Sequence, residues 1–289
     1  MSLRTGLPLI LLLLLASCHN ETKLPSNAET TLLREGFDAY SHGNWDAALE
    51  SYSGALHINP NSPPANFYSG VIYHLKKDYT SAIEHFNNGL SSDSANFQLL
   101  FNRGLTYMEI GHIPEARADF LQCAAINPAS WETFYYLGLC GIKSGDDIAA
   151  VKYLMESERL NPGYFWSYFI CGIADYRQGD YGGALSQWNA ALKVRKDFPE
   201  VYCYLGYAQI HLNDYKNALI NLKIAMTMEY ADPSVYVGIS AAYLRMKDIS
   251  KAKEYLLKAQ NAGLNISAET FTDFPYSGTI KQAVKEIVK

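Results

Sequence analysis

The chain has 289 residues, 48% apolar and 18% charged, a balance that excludes wholesale disorder. Its formal net charge is −5 with no long block of either sign. That argues against a nucleic-acid binder, which needs clustered Lys and Arg to neutralise phosphates.

The N-terminus carries one basic residue, Arg4, then the apolar run "LPLILLLLLA" and then "SCHN". Ten apolar residues are too few to cross hydrocarbon about 30 Å thick, which takes a helix of about 20. A basic start, a short apolar stretch and small residues before a cut describe a secretory signal over residues 1–17. The stretch "LASC" at 15–18 resembles the bacterial lipobox, in which cleavage leaves a cysteine to be lipid-modified. The resemblance makes Cys18 the lipidation site and the membrane anchor, with palmitate among the expected acyl groups. His19 follows where an Asp would have resembled the inner-membrane retention signal, so the expected place is the outer membrane, facing the periplasm. With Cys18, residues 19–28 ("HNETKLPSNA") read as a flexible tether, polar and without periodicity.

Next comes a repeat. In blocks of 34 residues counted from Glu29, the twentieth position is Ala48, Ala82, Ala116, Ala150, Ala184, Ala218 and Ala252. The eighth is Gly36, Gly70, Gly104, Gly138, Gly172, Gly206 and then Ser240. Small residues at both places allow two antiparallel helices to approach closely, where a larger side chain would overpack the contact. The twenty-fourth position is bulky (Tyr52, Phe86, Phe120, Leu154, Trp188, Leu222, Leu256) and the twenty-seventh small. At the sixteenth, Asn44, Asp78, Asp146, Asp180, Asp214 and Asp248 predict the start of each second helix, and only His112 departs. Pro60, Pro128 and Pro162 stop that helix in three blocks.

This pattern resembles the tetratricopeptide repeat and covers residues 29 to about 266. The fold it implies is all-α, a right-handed superhelical solenoid of about seven helix-turn-helix repeats. No copy can bury its apolar face alone, and stacking makes one continuous core. Asp175, Gly141 and Gln209 replace the family's tyrosine at position eleven. Glu35, Ser69 and Arg103 replace its leucine at position seven, so looser packing is expected in the first three copies. Residues 267–289 leave the period, and "TIKQAVKEIVK" puts Ile280, Val284 and Ile287 on one stripe, as suits a C-terminal capping helix or an extra partner-binding helix.

In this family the first helix of each repeat lines a concave surface through positions five, nine and twelve. Those twenty-one positions here include no Asp, Glu, Lys or Arg, so a clamp for a C-terminal carboxylate is not visible. From them the resemblance offers Phe67, Phe101, Tyr135, Phe169, Tyr207 and Tyr176 as groove residues. Tyr68, Tyr136, Trp166 and Tyr204 stand at neighbouring positions, with flat apolar area and a polar tip. Twenty-two tyrosines in the whole chain are a surplus that a groove can use. So long an apolar stripe demands a cover. Either tight winding buries it as core, or it grips an apolar helix, an aromatic peptide or a lipid-like ligand. Glu109, Lys143, Arg177, His211 and Arg245 at position thirteen form a polar rim or a solvated edge.

Cys123, Cys140, Cys171 and Cys203 read as small apolar helix residues, since no Cys-x-x-Cys or zinc-ligand spacing occurs. No nucleophilic triad, phosphate-cradling loop or His-Glu-x-x-His is readable, so neither catalytic residues nor cofactor nor metal is expected. The expectation is a non-enzymatic, lipid-anchored scaffold of the bacterial envelope, touching the membrane through its lipid alone. It would bind an envelope protein through the groove, with self-association open. The alternative is a carrier of a small hydrophobic ligand working with a transporter.

Overall fold

Two helices can touch along their backbones only where side chains are small, and the repeat supplies such places at a fixed interval. The computed structural model describes residues 27–228, 230 and 232–264, and over them the chain is all-α, with fourteen helices and no strand. The first helices of the seven copies are α1 (Asn27–Ser41), α3 (Pro63–Leu75), α5 (Phe97–Glu109), α7 (Trp131–Ser144), α9 (Phe165–Gln178), α11 (Pro199–His211) and α13 (Ser234–Arg245). The second helices are α2 (Trp45–Ile58), α4 (Tyr79–Ser92), α6 (Ile113–Ile126), α8 (Asp147–Leu160), α10 (Tyr181–Val194), α12 (Tyr215–Thr227) and α14 (Ile249–Asn261). The signal peptide, Cys18, most of the tether and the C-terminal cap lie outside the described residues.

The described residues fall into two compact units, one holding α1–α7 and the other α8–α14. In the first, the hairpins α1–α2, α3–α4 and α5–α6 are joined by α2 on α3, α4 on α5 and α6 on α7. In the second, α8 packs on α9, and the hairpins α9–α10, α11–α12 and α13–α14 are joined by α10 on α11 and α12 on α13. All seven alanines of position twenty are fully buried. A methyl group added at Gly70 would stand 2.5 Å from the Phe86 ring. One at Gly172 would overlap the indole of Trp188, whose Nε1–H donates to the Phe169 carbonyl at 3.1 Å. The glycine and the bulky residue of one copy are therefore two halves of one contact. Where Ser240 replaces glycine, its hydroxyl donates to the Ala252 carbonyl at 2.7 Å and is satisfied.

Each second helix starts where its acid or amide predicts. Asn44, Asp78, Asp146, Asp180, Asp214 and Asp248 each accept a bond from the backbone N–H three residues on, and His112 makes none. The residue just before each of these is left-handed in all seven copies: Gly43, Lys77, Gly111, Gly145, Gly179, Asn213 and Lys247. Lysine has a Cβ that this conformation crowds, at a cost of about 1–2 kcal/mol. Lys77 is exposed, so Lys77→Gly should raise stability by about 1 kcal/mol, after the entropy glycine adds to the unfolded chain. A urea melt reads this directly, and an unmoved midpoint would mean the lysine turn is not strained.

The expected looseness at position seven fails at Arg103, for a physical reason. Its Nε and Nη2 donate to both carboxylate oxygens of buried Asp119 at 2.9 and 2.6 Å, and Nη1 donates to Asn87 Oδ1 at 2.6 Å. A charge replacing leucine is tolerated because a matching carboxylate was placed one helix away.

Candidate functional site

The ten residues expected to line a groove do not share one environment. Position six of the first helix meets position twenty-four of the copy before it. Tyr68 lies flat on Tyr52 with centroids 5.5 Å apart, Tyr136 on Phe120 at 5.4 Å, and Tyr204 on Trp188 at 5.2 Å. Each pair joins two copies, adding about 0.5–1.5 kcal/mol beyond the area it buries. These tyrosines, expected in the groove, act as mortar between repeats. Tyrosine at position six in every second copy was the signal for this.

Position five closes in the same way. Phe101 is surrounded by Phe97, Phe120 and Tyr136, with centroids 5.4–5.7 Å away. Phe101, Tyr135, Tyr136 and Phe169 are at most 2% exposed, and Phe67, Tyr176 and Tyr207 at most 7%. For these seven, of the two alternatives, burial as core is what the structure shows: rings of their own and neighbouring copies cover them. Tyr68, Trp166 and Tyr204 remain half-buried, and Phe37 is 38% exposed on α1.

Several buried polar groups among these helices are tied. Thr106 Oγ1 donates to the Asn102 carbonyl at 2.7 Å and meets His74 Nδ1 at 2.9 Å, which assigns the ring proton to Nδ1. Burial pulls the His74 pKa below its ordinary value, against the pull of Glu109. Tyr207 donates to Ser234 Oγ at 2.9 Å. At the rim, Arg177 pairs with Asp147 at 3.1 Å. Burial pushes the Cys140 thiol up to about 12 and raises Cys123, Cys171 and Cys203 as well, so these are protonated apolar side chains rather than nucleophiles. Asp175, where the family has tyrosine, is pushed up to about 6, first by burial and then by the Asp180 carboxylate.

The sequence did not point to the junction between α10 and α11. Phe198 precedes Pro199 at the place where Asn96 and Ser130 accept N–H bonds in earlier copies, from Leu99 at 3.1 Å and Thr133 at 3.3 Å. Phe198 makes no such bond, and neither does Tyr164 before α9. It packs instead on Phe165 at 4.8 Å, Phe169 at 5.4 Å and Trp166 at 5.6 Å. The Arg195 guanidinium carbon stands 4.9 Å from the Phe198 centroid and 5.7 Å from that of Phe165. The available signal was Phe198 before Pro199, where Asn96 and Ser130 stand in other copies.

Family models support the repeat. One described as TPR repeat matches residues 172–211, and two described as tetratricopeptide repeat match 33–96, and 97–130 with 233–262. The chain is 30% identical over 110 residues to the lipoprotein NlpI homolog of Haemophilus influenzae, across 38% of this chain and 33% of that protein. It is 24% identical over 94 residues to protein bimA of Emericella nidulans, across 32% of this chain and 12% of that one. The chain thus spans a third or less of these curated relatives' length. A solved tetratricopeptide repeat protein from Parabacteroides merdae is similar with a TM-score of 0.59 and 19% identity, over 91% of this chain and 99% of that one. YrrB, described as a TPR protein with an unusual peptide-binding site, is similar at 0.58 with 20% identity, over 63% and 93%. These structural likenesses show the fold.

Proposed function

This chain is a tetratricopeptide-repeat protein, and from that premise we propose that it is a non-catalytic, lipid-anchored scaffold of a bacterial envelope. It holds an apolar peptide or helix of an envelope partner on its first helices. The observation that carries the reading is the aromatic area left part-open there: Phe37 and Tyr68 in one unit, Trp166 and Tyr204 in the other. Such side chains offer large contact area at little cost in side-chain freedom. The similarity to a lipoprotein and to a peptide-binding repeat protein supports it. Among the described residues no helix is long and apolar enough to cross a membrane, and the proposed anchor is the acyl chain on Cys18, in an outer membrane facing the periplasm. A carrier of a small hydrophobic ligand would need a closed, dry tunnel instead, whereas the aromatic area that carries this reading is part-open.

Two measurements test this. A photo-crosslinking phenylalanine analogue in place of Phe37, in cells of the native host, should yield one discrete polypeptide adduct. An adduct at twice the chain's mass would name a second copy as partner. A small-molecule adduct would favour the carrier, and no adduct would overturn the scaffold. Separately, Cys18→Ala should move the protein from the membrane to the soluble fraction and abolish palmitate labelling, and unchanged membrane association would sink the anchor.

A further inference from the structure

Two local departures and one part-open ring meet at the α10–α11 junction. Copies one, three and four end in Asn-Pro, at Asn59-Pro60, Asn127-Pro128 and Asn161-Pro162, whereas this one reads Arg195-Lys196. Phe198 forgoes the side-chain cap of the helix it precedes, a loss of typically about 1 kcal/mol. Around it, Trp166 is held edge-on by Phe165, Phe169 and Phe198, yet stays half-buried. Phe198 packs on three rings in exchange, so what is left open at the junction is the half-buried indole of Trp166 and the exposed Arg195, both in contact with Phe198.

The charge there is also particular. In a chain of net charge −5, Lys193, Arg195 and Lys196 place three exposed cations within four residues. Arg195 Nε holds Asp197 Oδ1 at 3.1 Å, with side chains 45% and 80% exposed. A pair so open to water contributes only about 0–1 kcal/mol, so an incoming carboxylate can displace Asp197. The guanidinium is already laid over the Phe198 ring, so its position is fixed before any ligand arrives.

We propose that the face formed by Trp166 and Arg195, with buried Phe198 packed against both, docks an acidic linear peptide of a partner protein, one large apolar side chain resting on the exposed part of Trp166 and a carboxylate taken by Arg195. This deepens the scaffold reading and rests on it. An anionic membrane surface fits less well. Trp166 is wedged among rings rather than projecting as an inserting side chain must. Asp197 and Glu200 stand among the cations, a pattern that admits one carboxylate and repels an extended negative surface.

The test is a random dodecapeptide display selection on the full-length protein, followed by anisotropy titration of the resynthesised peptides. The peptides selected should carry net negative charge and one aromatic or large aliphatic residue. Arg195→Glu and Trp166→Ala should each weaken them about tenfold or more, as truncated Trp and Arg anchors do. Asp197→Asn should tighten them severalfold. Arg195 and Asp197 are exposed, so circular dichroism of their variants should match wild type, and binding loss there cannot be unfolding. Peptides without acidic bias, or peptides held equally by Arg195→Glu, would overturn the docking face. So would an empty selection from a protein that binds vesicles of phosphatidylcholine with about one-fifth phosphatidylglycerol through Arg195. A polypeptide crosslinked through Phe37 and fully retained by Arg195→Glu would overturn the docking face and leave the scaffold standing. An absent crosslink in wild type counts against the scaffold alone, because the selection reads the junction by itself.

Discussion

Phe101→Glu should leave the α1–α7 unit unfolded rather than merely unable to bind. Phe101 is 1% exposed, and its ring touches Phe97 in its own helix, Phe120 in the same copy and Tyr136 in the next. Removing a buried phenylalanine typically costs about 3–5 kcal/mol before anything else is counted. The glutamate adds a carboxylate with no donor among three aromatic rings, a further few kcal/mol of desolvation whether it ionises or takes up a proton. Together these are on the order of the whole stability of a domain. Circular dichroism and limited proteolysis should show lost helix and rapid cleavage within 27–144. The matched control is Phe37→Glu, 38% exposed on the first copy, which should keep its helical signal while losing the crosslinked partner. A folded Phe101→Glu protein that only loses its partner would make Phe101 surface and restore the open groove.

That contrast marks where the sequence was legible. The hairpins could be read residue by residue, because a glycine, an alanine and an N-capping acid each do one job at one place. The cap bonds of Asp78, Asp146, Asp180, Asp214 and Asp248 follow from local chemistry alone. The left-handed residue before them was visible where it is Gly43, Gly111, Gly145 or Gly179. It was hidden at Lys77, Asn213 and Lys247, where the surrounding hairpin imposes it. The candidate site was far less legible, since an aromatic residue on a first helix can be core or surface with the same spacing. What decides is a ring from another copy, as Tyr52 decides for Tyr68 and Trp188 for Tyr204. The α10–α11 junction was illegible for the opposite reason: Arg195, Lys196 and Phe198 depart from the repeat, and a period shows only what recurs.

Asp119→Ala should be the most damaging polar substitution in the α1–α7 unit. Arg103 and Asp119 have side chains 19% and 4% exposed and share two hydrogen bonds. Breaking a buried pair by removing one partner costs about 3–5 kcal/mol, because the charge left behind has lost its counterion. Here the lower end is expected. Arg103 keeps Asn87 as an acceptor and stands 5.9 Å from the Tyr107 ring centroid, and its stem lets the guanidinium reach toward water. Asp119→Asn should cost nearly as much as alanine, since it keeps the shape and removes the charge. Replacing both residues, Arg103→Leu with Asp119→Leu, restores the leucine that the family places at position seven and leaves no charge to desolvate. Urea melts of the four proteins should put the double variant within about 1 kcal/mol of wild type or above it, as apolar replacements of buried pairs often are. A double variant as unstable as Asp119→Ala would mean that the pair contributes net stability of its own. In that case the third copy would be held by its charges rather than in spite of them.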